Sequence, residues 1–150
     1  MYDDQIKAIA RSYGITLVYL FGSEAKRGKI YFEGERITPH SFSDLDVAVA
    51  FEKALPEPMG TYGRLYREIS EIFVPFNVDL LFMQEVNTLF QHEIIRGIRI
   101  YARDEFDADE FEEGIIKRSE DLLFKKRMME KEMMEAVDDG YFEFEYRPNP

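Results

Sequence analysis

Two aspartates near the middle of the chain have the spacing of a metal-binding pair. Asp44 and Asp46 lie two residues apart, where a polar segment passes into the apolar run that ends at Phe51. Because alternate side chains of a β-strand point to the same face, this spacing directs both carboxylates the same way, where they repel each other at neutral pH. A cation between their oxygens relieves the repulsion, and Mg²⁺ prefers oxygen ligands of this kind. The pair therefore predicts a magnesium site.

A third aspartate, Asp79, lies inside the apolar segment 76–82. An acidic residue is disfavoured within a strand and needs a specific reason to be there. If this strand lies beside the strand that follows Asp44, Asp79 joins Asp44 and Asp46. The three carboxylates then complete a site for two metal ions.

A phosphate-binding turn is predicted at Gly22 and Ser23. The apolar, β-branched segment Ile15–Phe21 predicts a buried strand that runs directly into Gly22. Glycine lets the backbone approach a ligand closely, the next helical turn offers free N–H groups, and Ser23 adds a hydroxyl donor. Carboxylates that hold metals, together with amides that hold phosphates, are what nucleotidyl transfer requires.

The surrounding pattern predicts the elements that position these residues. Helices are expected from Asp3 or Asp4 to Tyr13 and over residues 24–27, 60–73, 86–96 and 106–138, and strands over 15–21, 44–51, 76–82 and 98–101. A hairpin is expected over 29–39, with Gly34 in its turn. The result is an α/β (α+β) domain with a small mixed β-sheet, flanking helices and a long C-terminal helix. Residues 1–104 are expected to form the main domain, and 105–150 an acidic helical extension of the same globular unit.

Composition excludes several classes of protein. The 150 residues suffice for one compact domain, and the absence of cysteine excludes disulfides and thiolate metal sites. No apolar stretch is long enough to span a membrane and no signal peptide is recognisable, so a cytoplasmic location is expected. Residues 104–150 hold 7 basic and 16 acidic residues out of totals of 19 and 30, for a chain of net charge −11. This balance argues against nucleic-acid binding.

The motifs resemble those of a known family over residues 5–104. Leu20-Phe-Gly-Ser23 with Ala25 and Gly28, Ser43-Asp-Leu-Asp-Val-Ala-Val49, Val78-Asp-Leu-Leu81, and Leu89–Tyr101 with Asp104 are similar to the minimal nucleotidyltransferases of the DNA polymerase β superfamily. The resemblance implies a polymerase β-like fold, ATP as the substrate, two Mg²⁺ ions and transfer of a nucleoside monophosphate to a hydroxyl acceptor.

The resemblance also implies a role for each motif residue. Asp44, Asp46 and Asp79 match the catalytic metal carboxylates, and Asp79 is the one expected to activate the acceptor. Gly22, Ser23 and Ser43 match the nucleotide- and phosphate-binding positions. Twenty residues separate Ser23 from Asp44, a longer spacer than is usual in the family, and the excess falls on the predicted hairpin.

The C-terminal region resembles the antitoxins that inactivate HEPN ribonuclease toxins by adding AMP to a tyrosine. The resemblance lies in the methionine-rich helix followed by Asp139-Gly-Tyr-Phe142. Four methionines on one helix are more typical of core packing than of docking. Yet a helix of this length on so small a body is expected to leave an apolar stretch exposed, which favours a partner or a homo-oligomer.

Two alternatives remain open at this point. One is nucleotidylation of a small molecule of the aminoglycoside type, although those larger enzymes use an additional helical domain. The other is a non-catalytic antitoxin that acts by occlusion, although a pure binder has no need of three clustered carboxylates. RNA tailing is the least favoured, because the chain is acidic.

Overall fold

The computed structural model describes residues 2–40 and 42–140, which form a mixed α/β fold. The helices are α1 (Asp3–Tyr13), α2 (Ala25–Phe32), α3 (Pro58–Ile72), α4 (Thr88–Ile95) and α5 (Glu105–Asp138), and the strands are β1 (Ile15–Phe21), β2 (Leu45–Phe51), β3 (Val78–Phe82) and β4 (Ile98–Ala102). A short 3-10 helix, Met83–Glu85, follows β3. Tyr141 and Phe142 of the predicted tail lie outside the described residues.

The four strands form one mixed sheet in the order β3-β2-β1-β4. β1 pairs antiparallel with both β2 and β4, whereas β2 and β3 run parallel. Helices cover both faces. Side chains of α1, α2 and α3 pack on one face, and those of α4 and the first part of α5 pack on the other. The predicted mixed sheet with flanking helices is confirmed.

Helix α1 has the predicted bounds but not the predicted cap. Ile6 and Ala10 lie on its buried face, and Gly14 ends it in the left-handed conformation with φ of 69°. Capping by Asp3 or Asp4 is wrong, because the cap position is Tyr2 and both aspartates lie in the first turn. There their negative charges favour the positive end of the helix dipole.

The predicted hairpin at residues 29–39 is also wrong. Helix α2 continues to Phe32, a turn at Gly34 follows with φ of 102°, and no strand forms in 33–40 or 42–44. Ala25, Gly28 and Phe32 are buried, and they recur at helical spacing on one face. Because that face packs against the sheet, tertiary burial overrides the strand propensity of the aromatic residues.

Helix α5 packs on the sheet only through its first half. Ala108, Ile115 and Ser119 are its buried residues, and the helix is exposed from position 120 to 135. The prediction that the four methionines of this helix are core residues is therefore wrong. Their side chains are 39–67% exposed at Met128, Met129, Met133 and Met134. Within the described residues no helix is both long and apolar enough to cross a bilayer. The division at residues 104 and 105 stays a prediction.

Candidate active site

Asp46 and Asp79 lie side by side at one end of the sheet. They are direct register partners across the parallel β2–β3 pair, which confirms the predicted strand neighbourhood. Both side chains belong to the sheet face that α4 and α5 cover. Further along β2, Ala48 and Ala50 are buried on this same face. Asp46 is half-buried and Asp79 is exposed. The two carboxylates therefore meet where the covered face opens to solvent.

The electrostatics of this pair favour a cation. Burial raises the pKa of the Asp46 carboxyl above its ordinary value. The negative charges of Asp79 and Asp44, and a hydrogen bond with Asp79, raise this pKa further. Each of these causes disfavours the ionised carboxylate, and a bound cation would remove the penalty.

Asp44 lies just outside β2 and is exposed. Its neighbour Leu45 begins the strand, and the Leu45 N–H donates a hydrogen bond to the Asn77 carbonyl at 2.8 Å. No group of three or more His, Asp or Glu side chains in residues 2–40 and 42–140 is arranged to hold a metal ion. The three-carboxylate metal site thus stays a prediction, and the pairing of Asp46 with Asp79 is its structural basis.

Gly22 brings the predicted phosphate-binding turn against the aspartates. Phe21, at the end of β1, is the register partner of Asp46, and Gly22 follows with φ of 77°. A Cβ atom at Gly22 would lie 2.3 Å from Oδ2 of Asp46. Both the backbone conformation and the close approach therefore require glycine. The structure places Gly22 beside Asp46 and Ser23 immediately after it.

A cavity of about 460 Å³ opens beside this turn. Gly22 and Ser23 line one side, Lys26 contributes a cation from α2, and Arg96 contributes a second from the end of α4. Next to Arg96, Gly97 lies so near β1 that a Cβ would be 2.3 Å from the Leu20 carbonyl oxygen. The sequence alone does not indicate Arg96, because only the fold brings α4 to the Gly-Ser turn.

Ser43 is partly buried next to Asp44, and its N–H donates to the His40 carbonyl at 3.3 Å. It does not line the cavity beside Ser23. Its assignment to nucleotide binding therefore stays a prediction.

Glu24 is a buried carboxylate that sequence reasoning did not single out. Its side chain is 3% exposed, and its Oε2 accepts a hydrogen bond from the His40 backbone N–H at 3.1 Å. The contact ties the start of α2 to the long connection before Asp44. A single glutamate in a polar stretch carries no sequence signal for such burial.

Solved structures similar to this chain are toxin–antitoxin complexes. One, described as the toxin-antitoxin MntA-HpeT, is 18% identical with a TM-score of 0.63, and covers 89% of this chain and 99% of its own. A toxin-antitoxin complex with AMP-PNP is 19% identical with the same TM-score and coverage. A tri-AMPylated Shewanella oneidensis HEPN toxin with its MNT antitoxin is 18% identical, with a TM-score of 0.57 and coverage of 88% and 95%. At these identities the likeness establishes the fold.

The comparison with protein families covers most of the chain. A separate comparison with curated proteins finds no match. The family described as "Polymerase beta, Nucleotidyltransferase" matches residues 4–106, a span that includes the three aspartates and the Gly-Ser turn. This match establishes the family of the chain, and the four-stranded mixed sheet that carries these residues at one end agrees with it. The chain belongs to the polymerase beta nucleotidyltransferase family.

Proposed function

We propose that this chain is an antitoxin that transfers AMP from ATP to a tyrosine hydroxyl of a HEPN-type ribonuclease partner. The observation that carries the proposal is the register of Asp46 with Asp79, together with the Gly22 backbone against the Asp46 carboxylate. A domain without catalytic work has no reason to pair a partly buried carboxyl of raised pKa, Asp46, with a second carboxylate.

The donor chemistry of the aspartates suits Mg²⁺, although no three carboxylates among the described residues are already arranged around an ion. Asp44, Asp46 and Asp79 would supply hard oxygen ligands, and two ions are expected by resemblance to the family. An ion held by these residues would supply positive charge to the α-phosphate. In this chain burial and the neighbouring charges disfavour the ionised form of Asp46, and a bound cation would offset that unfavourable free energy.

The cavity beside the turn fits the triphosphate. The backbone at Gly22 and the hydroxyl of Ser23 would hold phosphate oxygens, and Lys26 and Arg96 add positive charge to the lining. The lining also includes Glu93, the ion-pair partner of Arg96. These two cations border a site in a chain of net charge −11. Their placement supports a polyanionic ligand in this cavity.

The reaction requires a positioned acceptor and a group that takes its proton. The bond between the acceptor oxygen and the α-phosphorus forms as the α–β phosphoanhydride bond breaks, and pyrophosphate leaves. Asp79, the exposed member of the pair, would hold the acceptor hydroxyl and take its proton. The cavity beside Ser23 would retain the departing pyrophosphate until release.

Helix α5 supports a protein acceptor. From position 120 to 135 the helix is exposed, and its apolar side chains there include Phe124, Met129 and Met134 at 59–67% exposure. Exposed apolar side chains in this number are typical of a protein-binding surface. In the similar Shewanella oneidensis complex the antitoxin is found with an AMPylated HEPN toxin.

The test uses ATP labelled at the α-phosphate, Mg²⁺, the purified chain and the product of the neighbouring reading frame, which the proposal predicts to be a small helical protein. Label is expected on a tyrosine of the partner, with a mass increase of one AMP, and none is expected from ATP labelled at the γ-phosphate. Label on an added aminoglycoside instead would replace the protein acceptor by a small molecule. Inhibition of the partner without any label would leave occlusion as the function.

A further inference from the structure

The first turn of α2 holds the long connection that leads to Asp44. The Glu24 Oε2 accepts from the His40 N–H at 3.1 Å, and Nη1 of Arg27 donates to the Thr38 carbonyl at 3.1 Å. Arg27 also approaches Glu24, with Nε 3.9 Å from Oε1. Two neighbouring residues of one helical turn therefore fasten the backbone of this connection at two points.

Burial makes the contact of Glu24 with His40 consequential. A carboxylate that is 3% exposed must be hydrogen-bonded, or its burial strongly destabilises the fold. Glu24 occupies the cap position of α2, yet its side chain makes no capping hydrogen bond to that helix. Its carboxylate thus binds the connection rather than its own helix.

A second hydrogen bond links His40 to the residue before Asp44. The His40 carbonyl accepts from the Ser43 N–H at 3.3 Å, and Ser43 directly precedes Asp44. On the other side of Asp44, the Leu45 N–H donates to the Asn77 carbonyl at 2.8 Å. Asp44 is exposed and lies outside β2, so these two anchors fix its backbone. One anchor belongs to the sheet, and the other depends on Glu24.

We propose that Glu24 is a positioning residue, which through the His40 amide holds Asp44 beside Asp46 and so sets the affinity of the site for divalent cations. The inference rests on the proposed function, because it takes Asp44 as a cation ligand. It gives the long spacer between Ser23 and Asp44 a fixed attachment at the rim of the site. Glu24 does not line the cavity beside Ser23.

The test compares Glu24→Ala and Glu24→Gln with Glu33→Ala in the full chain. Glu33 is the matched control, because it is an exposed carboxylate at the end of the same helix. Its one ion pair within residues 2–40 and 42–140 is with Lys29, at 3.3 Å. Two readouts are measured: amide hydrogen exchange at His40 by NMR, and the binding of Mn²⁺ alone by electron paramagnetic resonance.

In Glu24→Ala we expect exchange at His40 to accelerate and the Mn²⁺ dissociation constant to rise, each about tenfold, because a hydrogen bond to a charged acceptor is lost. Glu24→Gln keeps an acceptor oxygen and should fall between wild type and alanine in both readouts. Glu33→Ala should match wild type. If the alanine variant does not fold, the glutamine variant must still shift both readouts by a few-fold.

Unchanged exchange at His40 would overturn the inference, and so would faster exchange with unchanged Mn²⁺ affinity. If the wild type binds Mn²⁺ and the Glu24 variants bind it with the same affinity, only this inference is contradicted. A wild-type chain that binds no Mn²⁺ contradicts the proposed function together with it.

Discussion

Asp46 is the direct cross-strand partner of Asp79, and its carboxyl has a raised pKa in that position. Burial is the largest cause, followed by the charges of Asp79 and Asp44. The fold thus holds ionised carboxylates where they disfavour one another. Such an arrangement is typical of a site that gives up stability for function.

Replacement of this carboxylate should stabilise the free protein. The pKa of Asp46 is higher in the folded than in the unfolded protein. The contribution of this group to the free energy of unfolding is therefore fully present at low pH and is lost as the pH rises through the folded-state pKa. We expect Asp46→Asn to increase the free energy of unfolding at neutral pH by up to about 1 kcal/mol, since solvent screens a half-exposed group. Urea unfolding of both proteins measures the difference.

The pH dependence gives this prediction its control. The advantage of Asp46→Asn should shrink as the pH falls through the raised pKa of Asp46, where the wild-type carboxylate takes up its proton. Added Mg²⁺ should stabilise the wild type more than the variant, because only the wild type retains the full ligand set. A variant less stable than the wild type at neutral pH would count against this electrostatic description.

The conformation of Gly22 and its approach to Asp46 make this position of the site sensitive to substitution. Gly22→Ala would force a methyl group to within 2.3 Å of Oδ2 of Asp46 at φ of 77°. We expect a loss of about 1–3 kcal/mol in the free energy of unfolding, together with loss of ATP binding. The matched control is Gly63→Ala in α3, where no atom lies within 4 Å of the added Cβ. The control should be neutral or slightly stabilising, and equal effects of the two variants would refute the close approach.

The strands that carry the site could be predicted from the sequence because their signal is local. Ile15–Phe21 has the predicted bounds, since a β-branched run ending at glycine has few alternatives. The pairing of Asp46 with Asp79 is different, because it depends on β2 and β3 being neighbours. Only the family resemblance, and not the local pattern, indicated that these strands meet.

The predicted hairpin was wrong because tertiary contacts decide the conformation of this segment. Tyr31 and Phe32 favour a strand locally, yet Tyr31 stacks on Tyr2 at 5.1 Å between ring centroids, and Phe32 stacks on Phe73 at 5.9 Å. Contacts between residues so distant in sequence leave no local pattern. The burial of Glu24 was missed for the same reason, because its partner is sixteen residues away.

Tyr19 should contribute stability by fastening α5 to the sheet. Its buried hydroxyl donates to Oε1 of Glu112 at 2.6 Å, and the same oxygen lies 3.2 Å from Nη1 of Arg99. Tyr19→Phe removes one of these partners and should cost about 1–2 kcal/mol in the free energy of unfolding. Chemical denaturation tests this, with Tyr66→Phe as the control, since Tyr66 is 40% exposed. Equal stability of the two variants would contradict a structural role for the Tyr19 hydroxyl.

Arg96 should bind the phosphates of ATP. Its guanidinium borders the cavity beside Ser23, and its only ion pair within residues 2–40 and 42–140 is an exposed one with Glu93 at 3.2 Å. Arg96→Ala should raise the KM for ATP about tenfold or more with a smaller change in kcat, because a charge-assisted contact is lost from the bound nucleotide. Steady-state kinetics decide this. Arg67→Ala, at an exposed position of α3, should leave both constants unchanged, and the prediction fails if Arg96→Ala does so too.

The central claim is that Asp44, Asp46 and Asp79 act together in AMP transfer. Its most direct test is the rate at which α-labelled ATP modifies the partner, measured for the wild type, for Asp44→Asn, Asp46→Asn and Asp79→Asn, and for the exposed control Asp4→Asn. We expect each of the three site variants to lose about 100-fold or more in rate, as removal of a metal carboxylate or an acceptor base does. The Asp4 control should keep the wild-type rate. A site variant that labels the partner at the wild-type rate would contradict the account, as would equal inhibition of the partner by all the proteins without label.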